Sequence, residues 1–435
     1  MSAGSVHEKL ARAVQARDLE AIRRLVLSDP SARDLIDRPL FAFDAPALVH
    51  CAGAQDLEMV DLLLDLGADP NRRSEWWAGG SHPLHSARGA VAERLLEGGS
   101  EPDACGAANL DRADLLLQLL DEDPSRVHER GGDGQTPLHF ARSRSVVDLL
   151  LDRGAELDAR DVDHRATPAE WMLQRSRGAG RYALAGYLVD RGASTDIFLA
   201  CVLGRAERVR ELVAADPSVM SLRTGRGAYA EQPPSSFHIY TWSIGQYLSP
   251  LQVAAQFDQH EVLDVLGSAA GPRERFLAAC ADGLEDEARD LLRERPGLVD
   301  ELDADDLRAL PDAGWGGRTA AVDLMLALGF DAAARGQDGG TVLHCAAWHG
   351  HVRCVETALR HPTVRALIEA RDPTHGSTPL GWCCHGARYS GNRAGDHPAV
   401  ARLLLDAGAV PGPNLADAPN DVRAVIEAWG GSGLR

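Results

Sequence analysis

Three stretches of the chain share one order of residue types: DGQTPLHFARSRSVVDLLLDRGAELDAR from Asp133, DGGTVLHCAAWHGHVRCVETAL from Asp338, and GSTPLGWCCHGARYSG continuing to AVARLLLDAGA from Gly376. Extending that register gives a period of about 33 residues and about eleven to thirteen units. A unit this short cannot bury its own apolar face, so neighbours must stack and the chain must fold as an array. At 435 residues it could otherwise hold two or three domains of roughly 100–200 residues each. The expectation is a single array over 1–435. Residues 1–40, rich in Arg, Glu and Asp, form its first cap, and 411–435, ending APNDVRAVIEAWGGSGLR, its last.

Each repeated residue has a physical task. Thr caps the orphan amides of a first helix, and Pro presets φ where no donor is lost. The small pair Ala346 and Ala347 lets two helices approach closely, Gly350 ends the first helix, and His351 opens the turn into the second. Leu149, Leu150 and Leu151 form the apolar stripe of a second helix, and Gly154 closes it in a left-handed cap. A different ending recurs at Asp29, Asp123 and Asp216, with a variant at Arg295, where Pro stops the helix instead.

Together these residues resemble the ankyrin repeat, of the multi-repeat type found in bacteria. Its signature is G-x-T-P-L-H-x-A-A-x-x-G-H followed by a Leu-rich helix and G-A, and the resemblance covers nearly the whole chain. It implies an all-α solenoid of helix-turn-helix units with projecting finger loops. It implies that His139 and His344 bond neighbouring backbone across the stack, and that targets lie on the concave side of the first helices.

Charge narrows the partners. The 45 basic and 64 acidic side chains leave a net charge of −19, a field that repels phosphate backbones and anionic lipid. Nucleic acid and membrane surfaces are therefore not expected as partners. No apolar run approaches the roughly 20 residues that span a bilayer, and the N-terminal segment reads straight into an amphipathic helix without a signal core. The eight cysteines occupy small-residue slots, as in LVHCAG, FLACVLG and FLAACADG; thiols used as small hydrophobes point to the reducing cytoplasm.

Functional information resides where the pattern breaks. The loop NRRSEWWAGGSHPLHS brings Trp76 and Trp77 near a finger tip. The segment 224–248 adds about twenty residues to the period and concentrates Tyr229, Phe237, His238, Tyr240, Trp242 and Tyr247. It either fills a small core of its own or serves as a functional loop. Turns are lengthened at QRSRGAGRY and ARYSGNRAGDHP, and the units at His82 and Thr136 are short. Counting seven positions from the Thr slots Arg308, Thr341 and Thr378 reaches Trp315, Trp348 and His385, with His349 one further. In the resembled family this slot faces solvent, and an exposed ladder of that kind is typical of binding hot spots. The alternative is that the insert or a finger packs over it. Trp171 and Trp382, four positions after their Thr, are expected in the core.

No C-x-x-C pair, H-E-x-x-H helix, G-x-S-x-G elbow or phosphate loop occurs. Adjacent Cys383 and Cys384 point apart on a helix, and the structural duties of His344 and His351 argue against a zinc site at Cys345, His349 and Cys354. No cofactor, metal or catalytic residue is assigned. The favoured reading is a scaffold for a protein partner, contacted by Trp315, Trp348, His349 and His385 and by Trp76, Trp77, His238, Tyr240 and Trp242. The alternative is an enzyme or small-molecule binder, with an acid/base cluster of Asp161, Asp163, His164, Arg165 and His82 in a pocket closed by the insert.

Overall fold

The computed structural model describes residues 5–173, 181–412 and 418–432. Regular structure among them is helical; pairing of strand type is confined to two isolated bridges, Phe41 with Ala45 and Gln232 with Ser235. Two compact units emerge: residues 1–199 with 224–246, and 200–223 with 247–435. Most of the extension QRSRGAGRY, at 174–180, lies outside the described residues.

Repeats are joined by a hydrogen-bond relay through buried histidines. In the first unit the Thr136 amide donates to His139 Nδ1 at 3.0 Å, and His139 Nε2 meets the Ala166 carbonyl at 3.1 Å. In the second, Thr341 and His344 repeat the arrangement at 3.1 Å, with the Ser377 carbonyl 3.1 Å beyond. Both imidazoles are fully buried, so each side chain satisfies a helix-cap amide and ties one unit to the next.

Of the stripe Leu149, Leu150 and Leu151 only Leu150 is buried, since three consecutive residues cannot share one helix face; the other two are half-buried. Val146, Val147 and Leu150 are buried in Arg144–Asp152, which ends at Gly154 with φ 88°. Helices approach closely where small residues permit: a Cβ on Gly386 would lie 2.1 Å from the Trp348 carbonyl oxygen. The helices Val342–Trp348 and Pro379–Tyr389 therefore pack nearly backbone to backbone. The Asp-Pro endings do more than stop helices. Asp29, Asp123 and Asp216 accept the amides of Ser31, Ser125 and Ser218 at 2.9, 3.0 and 2.9 Å, so each also caps the turn that follows.

The first unit's core includes Leu10, Ile22, Leu48, Leu63 and Leu95; the second's includes Phe276, Leu310, Leu343, Leu380 and Leu404. All eight cysteines are buried thiols. The units at His82 and Thr136 are short because their first helices shrink to Pro83–His85 and Pro137–Phe140. No helix among the described residues is long and apolar enough to cross a membrane.

Candidate functional site

In the second unit, Trp315 and Trp348 each end a first helix, Ala309–Trp315 and Val342–Trp348. Their indoles are parallel within 10°, centroids 6.4 Å apart. Trp382 meets Trp348 at 5.8 Å and 73°, and the exposed His385 ring lies 5.6 Å from Trp348. These side chains line a cleft of about 360 Å³ together with Asp338 and His375 from the finger loops.

The cleft exists because of one missing side chain. The third residue after the cap is His139 or His344 in regular units; after Thr378 it is Gly381, which lines the cleft floor. The finger beside it is stapled by Asp372. Its carboxylate accepts the His375 amide at 2.5 Å, the Ser377 amide at 2.9 Å and the Trp382 indole Nε1–H at 2.9 Å. Burial raises the acid's pKa, but these donors more than offset it and the net direction is down. His375 is exposed, with Nε2 3.9 Å from Asp338 Oδ2.

The same frame occurs in the first unit. Asp161, His164, Thr167, Pro168 and Trp171 match Asp372, His375, Thr378, Pro379 and Trp382 in a shared D-x-x-H-x-x-T-P-x-x-W pattern. Sequence reasoning began the second copy at Gly376, past Asp372 and His375, and so missed the duplication, whose signal is in the sequence. Asp161 accepts the His164 amide at 2.7 Å and the Ala166 amide at 2.6 Å, while its buried carboxyl is pushed up by desolvation. Arg165, standing where the second copy has Gly376, takes the same left-handed backbone: φ is 55° at Arg165 and 62° at Gly376.

That backbone costs a side-chain-bearing residue about 1–2 kcal/mol. The compensation lies in what the guanidinium reaches: it donates to the carbonyls of Ala230 at 2.7 Å and Ser236 at 3.2 Å. The insert is thereby clamped on the finger. Ser235 Oγ donates to the Val162 carbonyl at 3.0 Å, the Ser236 amide to Asp163 Oδ1 at 2.9 Å, and His164 Nδ1 meets the Phe237 carbonyl at 2.8 Å. The Trp242 ring packs edge-on against His164 at 4.9 Å.

Below this segment of the insert lies a buried polar cluster. Glu170, in the slot that Gly381 leaves empty, is 3.5 Å from His238 Nε2 and 3.3 Å from the Tyr240 hydroxyl. The Tyr240 hydroxyl also reaches Asp196 at 2.9 Å, and Tyr229 donates to Asp196 at 2.8 Å. Burial raises the Glu170 carboxyl, but the hydrogen bond and charge of His238 overcome it and hold it low. Asp196 is raised, first by burial and then by the charge of Glu170.

The insert therefore fills a core, and this corrects several expectations. His238 and Tyr240 are 3% and 0% exposed, so neither can touch a partner. The five residues grouped with Trp76 do not form one surface. Trp76 and Trp77 sit with Phe43, 5.3 Å from Trp76, whereas Trp242, 52% exposed, belongs to the insert. In the other group, Trp315 and Trp348 are half-buried and His349 packs edge-on against Trp315 at 4.5 Å, its Nε2 buried without a hydrogen bond.

The acid/base cluster has structural duties instead. Asp161 staples the finger, Arg165 clamps the insert, and Asp163 is fully buried, with Oδ2 3.8 Å from His164 Nε2. His82 sits in a different finger, where its Nδ1 caps the Leu84 amide at 3.2 Å. Trp171 and Trp382 are buried, at 2% and 4% exposure.

One group has metal-ligand composition: donor atoms of His85, Asp103 and Cys105 lie within 4.8 Å of one another. A cation there would have to break the 2.8 Å bond between His85 Nε2 and Asp103 and displace Arg73 from the same carboxylate. It would also have to deprotonate Cys105, whose thiol burial pushes far up. These residues fit a hydrogen-bonded core better than a cation.

Comparison with known proteins agrees with the architecture. Residues 311–359, which include Trp315, Trp348 and His349, match the family model for ankyrin repeats in many copies, and residues 133–162 match the model for the ankyrin repeat. The chain is 27% identical over 157 residues to ankyrin repeat and SAM domain-containing protein 6 of Rattus norvegicus, covering 33% of this chain and 17% of that protein. It is 23% identical over 307 residues to ankyrin repeat domain-containing protein SAT10 of Stachybotrys chartarum, covering 60% of this chain and 15% of that protein. The chain thus spans under a fifth of the length of these relatives, one animal and one fungal. Helices capped by Thr and Pro, closed by Gly and tied by buried histidines, together with these matches, give the described residues an all-helical ankyrin-repeat fold.

Proposed function

We propose that the chain is a binding scaffold that holds a protein partner on the first-helix face of its second unit. Trp315, Trp348 and His385 provide the contact surface, and the exposed Trp77 and Trp242 serve as further contacts. The observation that carries this reading is the cleft of about 360 Å³ lined by three tryptophans and open to solvent. Aromatic rings held rigid by their surroundings lose little entropy on binding and anchor interfaces well. The acidic balance of −19 supports a macromolecule other than nucleic acid, and the buried thiols support a cytoplasmic setting. Binding at such a surface requires no cofactor.

Affinity capture from a native lysate tests the reading, comparing the parent chain with a Trp315→Ala, Trp348→Ala double variant of intact helical signal. A protein held by the parent and lost with the variant supports it. Equal capture by both chains overturns it. A small molecule is the second reading, favoured by the cleft's volume, which falls at the small end of the roughly 300–1,000 Å³ typical of ligand pockets.

A further inference from the structure

The two copies of the D-x-x-H-x-x-T-P-x-x-W finger differ in what covers them, and the covered copy is a template for the open one. Over the first, an irregular segment of the chain's own insert presents the Phe237 carbonyl to His164 Nδ1 at 2.8 Å, and the short helix Tyr240–Ser243 that follows lays the Trp242 ring against the same imidazole. The neighbouring slot, Glu170, is in contact with His238 and with Tyr240 at the start of that helix.

In the second copy the equivalent positions, His375 and Gly381, line the open cleft with Trp382. Each imidazole has a carboxylate nearby, but from a different place: His164 Nε2 is 3.8 Å from Asp163 of its own finger, and His375 Nε2 is 3.9 Å from Asp338 of the preceding one. His375 Nδ1, the atom whose counterpart bonds the insert, has no hydrogen-bond partner among the described residues.

We infer that this cleft receives a peptide segment of a partner, with a backbone carbonyl on His375 Nδ1 and an aromatic side chain against Trp348 and Trp382. The inference rests on the scaffold reading and gives the partner its chemistry. Flat insertion between Trp315 and Trp348 is excluded by size. A sandwiched ring needs about 7 Å between its neighbours, twice the 3.5 Å contact distance, and their centroids are 6.4 Å apart. The aromatic group must enter over the vacancy at Gly381, where Glu170 fills the first copy. A rigid amphipathic ring gains burial there at small entropic cost.

The test is a selection of random nine-residue peptides displayed on phage, run against the full chain. Binders are then titrated as free peptides against the parent and the His375→Ala, Gly381→Glu and His164→Ala variants, each with helical signal confirmed. The expected result is enrichment of Trp, Tyr or Phe at one position. Affinity should fall about tenfold with His375→Ala, as for loss of one well-made hydrogen bond, disappear with Gly381→Glu, and remain with His164→Ala.

Selected peptides without an aromatic residue, binding indifferent to His375→Ala and Gly381→Glu, or no selectable binder would each overturn the inference. These outcomes are separable from failure of the scaffold reading. If lysate capture depends on Trp348 while no peptide is selected, the scaffold stands and the peptide mode falls. If capture is indifferent to the tryptophans, the scaffold reading falls by itself.

Discussion

The finger at 161–171 and the finger at 372–382 are built on one frame and finished in opposite ways. Both use an aspartate to staple the loop, a histidine beside a carboxylate, a Thr-Pro helix start and a buried tryptophan. In the first, Glu170 and Arg165 hold the chain's own insert, which covers the finger. In the second, glycines stand at both positions, 376 and 381, and the surface stays open. One finger frame is thus covered or left open by the residues at two of its positions together with the presence of an insert long enough to reach it.

The strongest challenge to that contrast is to remove Tyr240, fully buried between Asp196 and Glu170. Tyr240→Ala should destabilise the first unit by about 3–5 kcal/mol, as other large-to-small core replacements do. Trp348→Ala, half-buried in the open copy, should cost under about 2 kcal/mol. Urea titration of both variants, followed by helical signal, would break the comparison if the two costs were equal.

Acid sharpens it next. Burial lowers the His344 pKa to about 4, below its unfolded value of about 6.5. Between those values the unfolded chain binds more protons than the native one, so stability falls as pH drops from about 6.5 towards 4. The loss from His344 should approach roughly 3 kcal/mol at the lower end. His344→Gln should flatten that slope in urea titrations run at successive pH values; an unchanged slope would show that the proton uptake lies elsewhere.

Smaller effects separate the staples. Asp372→Asn leaves donors facing donors in the open finger and should cost about 1–3 kcal/mol. It should speed hydrogen exchange at the His375 and Ser377 amides, while Asp161→Asn, beneath the clamped insert, should be buffered. Equal acceleration at the two sites would mean that the insert lends its finger no rigidity. Smallest is Arg165→Gly, which relieves left-handed strain of about 1 kcal/mol and loses the clamp on Ala230 and Ser236. Net stability should barely move, but limited proteolysis should cut the insert sooner. Unchanged cleavage would remove Arg165 from the account of why the insert stays down.

Much of the fold was legible in the sequence because ankyrin signatures are local: Thr-Pro starts, small pairs and Gly endings recur in register whatever surrounds them. The Trp315 and Trp348 ladder followed from the same count, and so did the burial of Trp171 and Trp382. The insert's partner was not legible. The contacts from Ser235, Ser236 and Phe237 to the 162–164 finger bridge 73 residues, and no periodicity announces a pairing across that distance. His238 and Tyr240 consequently looked like surface aromatics when they are core. Arg165 was read as a member of an acid/base cluster, and its role as a clamp became visible only with the carbonyls it reaches.

Gly381 has one more consequence. The cleft is an absent side chain rather than a bent backbone, so its depth is graded by residue size at a single helical position. Ala at that position removes the helix penalty of glycine, about 0.5–1 kcal/mol, while shrinking the void, and larger residues close it by degrees. Cleft depth and helix stability are thus opposed on one carbon atom, and the chain retains the less stable choice.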